Sequence, residues 1–201
     1  LSANASVVPG EVDTADNTKV ADSTVTVLSI GHDVAIKDVT PFKTVVGQGY
    51  SLSVGVTAKN YGSFAETFNV TVHYNDTAII LPDEKNCITI TLTSGDHTTL
   101  TFTWNTTGVA KGNYTITAFA EPVPCEIDTT DNILPDGWII VTFGGDVNGD
   151  GRVRADDVLA VALAFGSDYP EPEYDPNLDI NGDLKIRVDD ILTAAANFGM
   201  G

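Results

Sequence analysis

The chain has 201 residues, enough for one or two domains, and 28 acidic against 10 basic side chains give a formal net charge of −18. That excess argues against nucleic acid or an anionic membrane surface as a partner, because like charges repel. No run of about 18 apolar residues is present, so no membrane insertion is expected. No basic region followed by an apolar core opens the sequence, and residue 1 is Leu, so the chain reads as a processed product or a fragment.

Residues 3–17, ANASVVPGEVDTADN, align at a constant offset with residues 118–132, AFAEPVPCEIDTTDN. Ala3, Ala5, Pro9, Glu11, Asp13, Thr14, Asp16 and Asn17 are identical in the two. STVTVLSI (23–30) then stands where GWIIVTF (137–143) stands after the second copy. Residues 1–30 therefore read as a terminal hairpin, the last two strands of a preceding repeat of the domain that follows. An isolated hairpin is marginal in water. Either the rest of that repeat precedes it in a longer chain, or the hairpin adds a strand to a neighbouring subunit. Head-to-tail contacts that do not close build a filament.

From about 33 to 143, polar and apolar residues alternate in short runs: VAIKDV (34–39), YSLSVGVTA (50–58), ETFNVTVHY (66–74), CITITLT (87–93), TTLTFTW (98–104), NYTITAFA (113–120) and GWIIVTF (137–143). Period-two alternation broken by Gly, Pro, Asn and Asp predicts strands. Seven of them over this length predict a mostly β fold, an immunoglobulin-like β-sandwich over 31–143. The segment also resembles the CARDB type of cell-adhesion-related domain of bacteria and archaea. The resemblance rests on the Lys59-Asn60-Tyr61-Gly62 turn, the Ser94-Gly95 turn before a strand ending in Trp, and the acidic, Asn-containing loop before the last strand. It implies an extracellular structural or adhesive spacer.

The acidic loop itself has two readings. Glu126, Asp128 and Asp131, like Glu11, Asp13 and Asp16, could hold a cation, or their side chains stabilise a hairpin turn. Cys87 and Cys125 are the two cysteines; in an exported protein they are expected to pair, the other reading being two free thiols. Asn4, Asn69, Asn75, Asn105 and Asn113 head N-x-S/T triplets, which fit surface glycosylation of an exported protein, although a Thr-rich β protein also produces them.

Residues 144–201 carry the clearest chemistry. Asp146, Asn148, Asp150 and Asp157 occupy positions one, three, five and twelve of a loop, with Gly151 at six. This is the oxygen spacing of a twelve-residue calcium loop, in which the main-chain oxygen of residue seven, Arg152, adds a ligand. The spacing recurs at Asp179, Asn181, Asp183 and Asp190, with Lys185 at position seven. Arg154 and Arg187 hold position nine, where water is expected to ligate. Position six of the second loop is Leu184, where a Cβ disfavours the left-handed turn by roughly 1 kcal/mol. Each loop leads into a similar apolar helix, VLAVALAFG and ILTAAANFG. The duplicated loop-plus-helix resembles a dockerin, the small calcium-binding module that plugs into cohesin domains. The resemblance implies two Ca2+ ions and a partner-binding role for loop positions ten and eleven, here Ala155 and Asp156 or Val188 and Asp189. These lack the small hydroxyl pair common in cellulosomal dockerins. Gly144-Gly145 is expected to hinge the module directly onto the last sandwich strand, and Tyr169 or Tyr174 to tie down the connector between the loops.

Signs of catalysis are few. His32, His73 and His97 are scattered without metal-ligand spacing, the serines lack a nucleophile elbow, and no phosphate-binding glycine loop occurs. The reading is a non-enzymatic protein of the extracellular space or cell surface. Its partner is a cohesin-like domain or, as a filament subunit, copies of itself. A third reading is an ancillary fragment of a secreted polysaccharide-degrading enzyme or cellulosome-like complex.

Overall fold

A computed structural model describes residues 2–20 and 31–201. They fall into two compact units, Leu1–Ile30 and Gly31–Gly201. In the first, β1 (Ser2–Asn4) pairs antiparallel with β2 (Thr18–Val20). The strand expected over 23–30 lies outside the described residues. The connection is built from side chains that cap their own backbone: Glu11 accepts the Val8 N–H at 3.0 Å and Asp13 accepts the Ala15 N–H at 2.9 Å.

The second unit holds the sandwich. The strands are β3 (Val34–Pro41), β4 (Val45–Gly47), β5 (Ser51–Asn60), β6 (Glu66–Tyr74), β7 (Thr77–Ala78), β8 (Ile88–Leu92), β9 (His97–Asn105), β10 (Gly112–Ala120) and β11 (Ile133–Thr142). One sheet runs β4-β11-β10-β6, with β7 and β8 both on the far edge of β6; the other runs β3-β5-β9. All seven expected strands are present, and β4 and β7 are additions too short for an alternation to announce. Strict alternation buries every second residue of β5. Val54, Val56, Val70, Val72, Phe102 and Ile116 are completely buried between the sheets, each worth roughly 2 kcal/mol of transfer free energy. Trp104 stacks on Tyr74 at 4.7 Å and meets Tyr114 edge-on at 5.7 Å.

β11 starts earlier than its sequence suggests, because Ile133–Asp136 continues the ladder past a bulge opposite Thr115 and Ile116. Pro135 is tolerated there: β4 pairs only with residues 140–142, so the missing N–H falls on an open edge. The loop between β10 and β11 repeats the hydrogen bonds of the first unit. Glu126 accepts the Val123 N–H at 2.8 Å, Asp128 accepts the Thr130 N–H at 3.0 Å, and Ala120 N–H to Asn132 carbonyl matches Ala5 N–H to Asn17 carbonyl, both at 2.8 Å. These bonds are those of a capped turn, and beside them one buried oxygen of Asp131 has no hydrogen-bond partner among the described residues.

The expected disulfide is not formed. Cys87 and Cys125 are both free. Cys87 is half-buried where the chain enters β8, and Cys125 is exposed in the loop leaving β10. Of the glycosylation triplets, Asn4, Asn75, Asn105 and Asn113 are exposed, while the Asn69 amide is engaged by Glu121 and Thr89.

The C-terminal residues form two short helices, α1 (Ala155–Leu163) and α2 (Val188–Ala196). Their core, Val161, Ala194, Ile180, Ile186 and Tyr174, extends onto Phe42 and Tyr50 of the sandwich. The glycines expected to hinge the module mark a tight crossing instead. A Cβ on Gly145 would lie 2.6 Å from the Ala194 Cα, and one on Gly47 would lie 2.6 Å from the Gly144 Cα. Among the described residues no helix is long and apolar enough to cross a membrane.

Candidate metal centre

Each calcium-type loop is a turn wound around its first carboxylate. In the first, Asp146 Oδ1 accepts the N–H groups of Gly149 and Asp150 at 2.9 and 3.2 Å, and Oδ2 accepts that of Gly151 at 2.8 Å. In the second, Asp179 accepts from Gly182, Asp183 and Leu184 at 2.8, 3.2 and 2.9 Å. Asn148 and Asn181 each accept the N–H two residues on, at 2.9 Å, and Asp150 and Asp183 do the same at 2.9 and 3.0 Å. These short-range bonds point the side chains at positions one, three and five to one side of the turn.

The carboxylate at position twelve closes the loop from the first helical turn. Asp157 accepts the Arg154 N–H at 2.9 Å, capping α1, and the Val147 N–H at 3.1 Å; Asp190 does the same with Arg187 and Ile180, both at 2.9 Å. Negative charge in this turn also suits the positive end of the helix dipole. Arg154 at position nine pairs with Asp150 at 3.1 Å, whereas Arg187 turns away to Asp168.

The chemistry of this donor set suits calcium. Asp146, Asp157, Asp179 and Asp190 are at most 2% exposed, and none of their carboxylates forms an ion pair among the described residues. Buried carboxylates of this kind call for a compensating cation. Hard oxygen donors at this spacing are those of a calcium shell. Among the described residues no three His, Cys, Asp or Glu side chains form a metal-holding group by themselves. A complete shell would rely on the amide oxygens of Asn148 and Asn181 and the main-chain oxygens of Arg152 and Lys185. Burial pushes the Asp190 carboxyl up against the pull of the backbone N–H groups of Arg187, Asn181 and Ile180, and the nearby Asp179 charge adds to the rise.

Leu184 at position six adopts φ 68, the conformation Gly151 adopts at φ 84. The second loop therefore carries strain the first lacks. Leu184→Gly is expected to stabilise the chain by up to about 1 kcal/mol, less the extra freedom glycine gives the unfolded chain. Urea unfolding checks this; a lower midpoint would mean that the leucine side chain packs to more effect than its backbone costs.

Four residues outside the loops complete the site, and three of them carried no sequence signal. Thr142 donates to Asp146 at 2.5 Å, and Tyr174 donates to Asp179 at 2.6 Å. Burial first, then that hydrogen bond, push the Tyr174 phenol well up. Lys43 donates from the sandwich to the main-chain oxygen of Asp179 at 2.6 Å. Asn177 accepts the N–H groups of Thr44 and Val45, both at 3.0 Å. Only Tyr174 stood out beforehand, as an aromatic in a proline-rich connector.

The partner-binding candidates Ala155, Asp156, Val188 and Asp189 are all exposed on the first turns of α1 and α2. Asp156 and Asp189 are partly occupied, accepting from Asn148 and Asn181 at 3.2 and 2.7 Å. Sequence reasoning passed over the apolar residues beside them. Leu159, Leu192 and Phe198 are 57%, 61% and 61% exposed, and a groove of about 380 Å³ runs between Leu159, Ala162, Ala195 and Phe198.

Residues 144–194 match the family model of the dockerin type I domain, a span that takes in both loops, α1 and most of α2. Dockerin type I domains are non-catalytic modules of secreted and cell-surface proteins that bind calcium and dock onto cohesin domains. The sandwich is similar to the CARDB domain of a Pyrococcus furiosus protein, crystallised in complex with di-metal ions. The two share 22% identity over 58% of this chain and 99% of that one, with a TM-score of 0.47. The solution structure of a CARDB domain from the same organism gives 24% identity over 56% and 97%, with a TM-score of 0.45. A β-glucosidase of Erythrobacter marinus shares 14% identity over 55% of this chain and 15% of its own, with a TM-score of 0.41. No curated protein matches the chain.

Proposed function

We propose that this is a non-enzymatic, extracellular structural or adhesion protein in three parts. Residues 144–201 bind two calcium ions, one in each loop, and the loaded module mediates assembly with a cohesin-like domain. Residues 31–143 are the spacer that presents it, and residues 1–30 are the end of a preceding repeat. Asp146, Asn148, Asp150, Arg152 and Asp157 hold one ion; Asp179, Asn181, Asp183, Lys185 and Asp190 hold the other. The observation that carries this reading is the bond-for-bond repetition of the two loops around buried carboxylates that form no ion pair among the described residues. Calcium binding then becomes folding energy for the module.

The receptor face we assign is the exposed surface of α1 and α2: Ala155, Asp156 and Leu159 on one helix, Val188, Asp189 and Leu192 on the other. Light scattering of the full chain with a cohesin domain tests it. A one-to-one complex in calcium, absent in chelator and lost in Leu159→Glu/Leu192→Glu, is the expected result. A complex that survives the double substitution would refute the assignment.

A second reading, self-assembly through the N-terminal segment, is favoured by the shared hydrogen bonds of residues 3–17 and 118–132. Large particles in calcium without any cohesin, lost when residues 1–30 are removed, would select it.

A further inference from the structure

The two loops match in their own bonds and differ in what the sandwich presents to them. The first loop meets apolar and hydroxyl groups: a Cβ on Gly149 would lie 2.6 Å from the Ile140 side chain, and Thr142 donates to Asp146. The second meets an ammonium. Lys43, between β3 and β4, is only 4% exposed, and its Nζ donates at 2.6 Å to the main-chain oxygen of Asp179, the first residue of the loop. Burial pushes the Lys43 ammonium down, and the nearby charges of Asp179 and Asp190, positions one and twelve, pull it back up. The approach is held rigidly from both sides. Asn177 grips the backbone of Thr44 and Val45, and the Phe42 ring meets those of Tyr169 and Tyr174 at 5.4 and 6.3 Å.

We propose that Lys43 is a built-in cation of the second loop, lent by the sandwich, which keeps that loop folded without calcium and lowers its calcium affinity below that of the first. The inference rests on the reading that both loops take calcium. A buried ammonium compensates the Asp179 and Asp190 charges when no ion is bound, and repels the ion when one arrives; both effects are strong where the effective dielectric is low. By linkage, whatever stabilises the ion-free state more than the ion-bound one weakens the ion by the factor of that difference. The sandwich thereby sets the calcium threshold of the module attached to it, and the module passes from half-loaded to fully loaded as calcium rises.

Calorimetric titration of the full chain with calcium tests the proposal, using wild type, Lys43→Met and Lys43→Gln. The glutamine keeps a donor for the Asp179 carbonyl and drops only the charge. The Asp146→Ala/Asp157→Ala background leaves the second loop to be read alone. Wild type is expected to show two steps. Both Lys43 variants should tighten the weaker step by about tenfold, the middle of the usual range for coupled sites. The same variants should melt below wild type in chelator and approach it in saturating calcium. Asn177→Ala loosens the grip without touching charge and should lose equal stability in both conditions. Two steps left unchanged by the Lys43 variants, or a stability loss equal with and without calcium, would overturn the proposal and leave Lys43 as a clamp. A wild type that binds no calcium would instead bring down the underlying reading along with it.

Discussion

Asp146→Ala combined with Asp157→Ala is expected to abolish calcium binding in the first loop and to remove the calcium-dependent part of its stability. Both side chains are buried, and between them they accept six N–H bonds that wind the loop and cap α1. An ion present at a thousandfold over its dissociation constant contributes about 4 kcal/mol to the folded state, and that contribution disappears with its ligands. The capping bond to Arg154 is lost as well, at a cost of about 1 kcal/mol whether or not calcium is present. In calcium, therefore, the double variant should melt several degrees below wild type and its α1 should be cut readily by protease, while the sandwich core around Trp104 stays intact. In chelator the gap between variant and wild type should shrink to the cost of the cap and loop bonds. Protease resistance in calcium equal to that of wild type would contradict the assignment of these residues.

The second large effect is expected at Gly145. Its φ of 99 lies where a Cβ is disfavoured, and that Cβ would sit 2.6 Å from the Ala194 Cα, a backbone atom in the last turn of α2 that cannot rotate away. Gly145→Ala adds roughly 1 kcal/mol of backbone strain to about 1–3 kcal/mol of overpacking. The helix must move off the crossing, which opens the core formed by Val161, Ile186 and Ala194. Gly151→Ala is the control: it has φ 84 and nothing within 4 Å of its would-be Cβ, so it carries strain alone. Chemical unfolding of both variants in chelator separates the two contributions. A cost at Gly145 no greater than at Gly151 would show that the crossing is loose and that the module swings freely.

Much of the fold was legible because its signals are local. The alternation in 51–60 and 66–74 places one face of each strand in the core, and the loop spacing at 146–157 and 179–190 specifies its own hydrogen bonds. What escaped was non-local or ran against a local rule. β4 is three residues long and exists because β11 offers it a parallel partner. The start of β11 hides behind Pro-Asp-Gly, which reads as a turn unless the open edge beside Pro135 is known. Cys87 and Cys125 invited a disulfide by composition alone, which does not show where a loop places its thiol.

The junction at residue 144 is the instructive case. A Gly-Gly pair permits a flexible joint and also permits backbones to touch, and only the position of α2 decides between these. The same holds for Lys43. A lone lysine in Pro-Phe-Lys-Thr carries no motif, and its significance comes from the carbonyl it reaches far along the chain.

Counting bound ions tests most directly whether the C-terminal loops are structural calcium sites. Equilibrium dialysis of the full chain against calcium should give two ions per molecule at saturation, falling to one in Asp146→Ala/Asp157→Ala. No bound calcium, or an unchanged count in the double variant, would contradict that assignment.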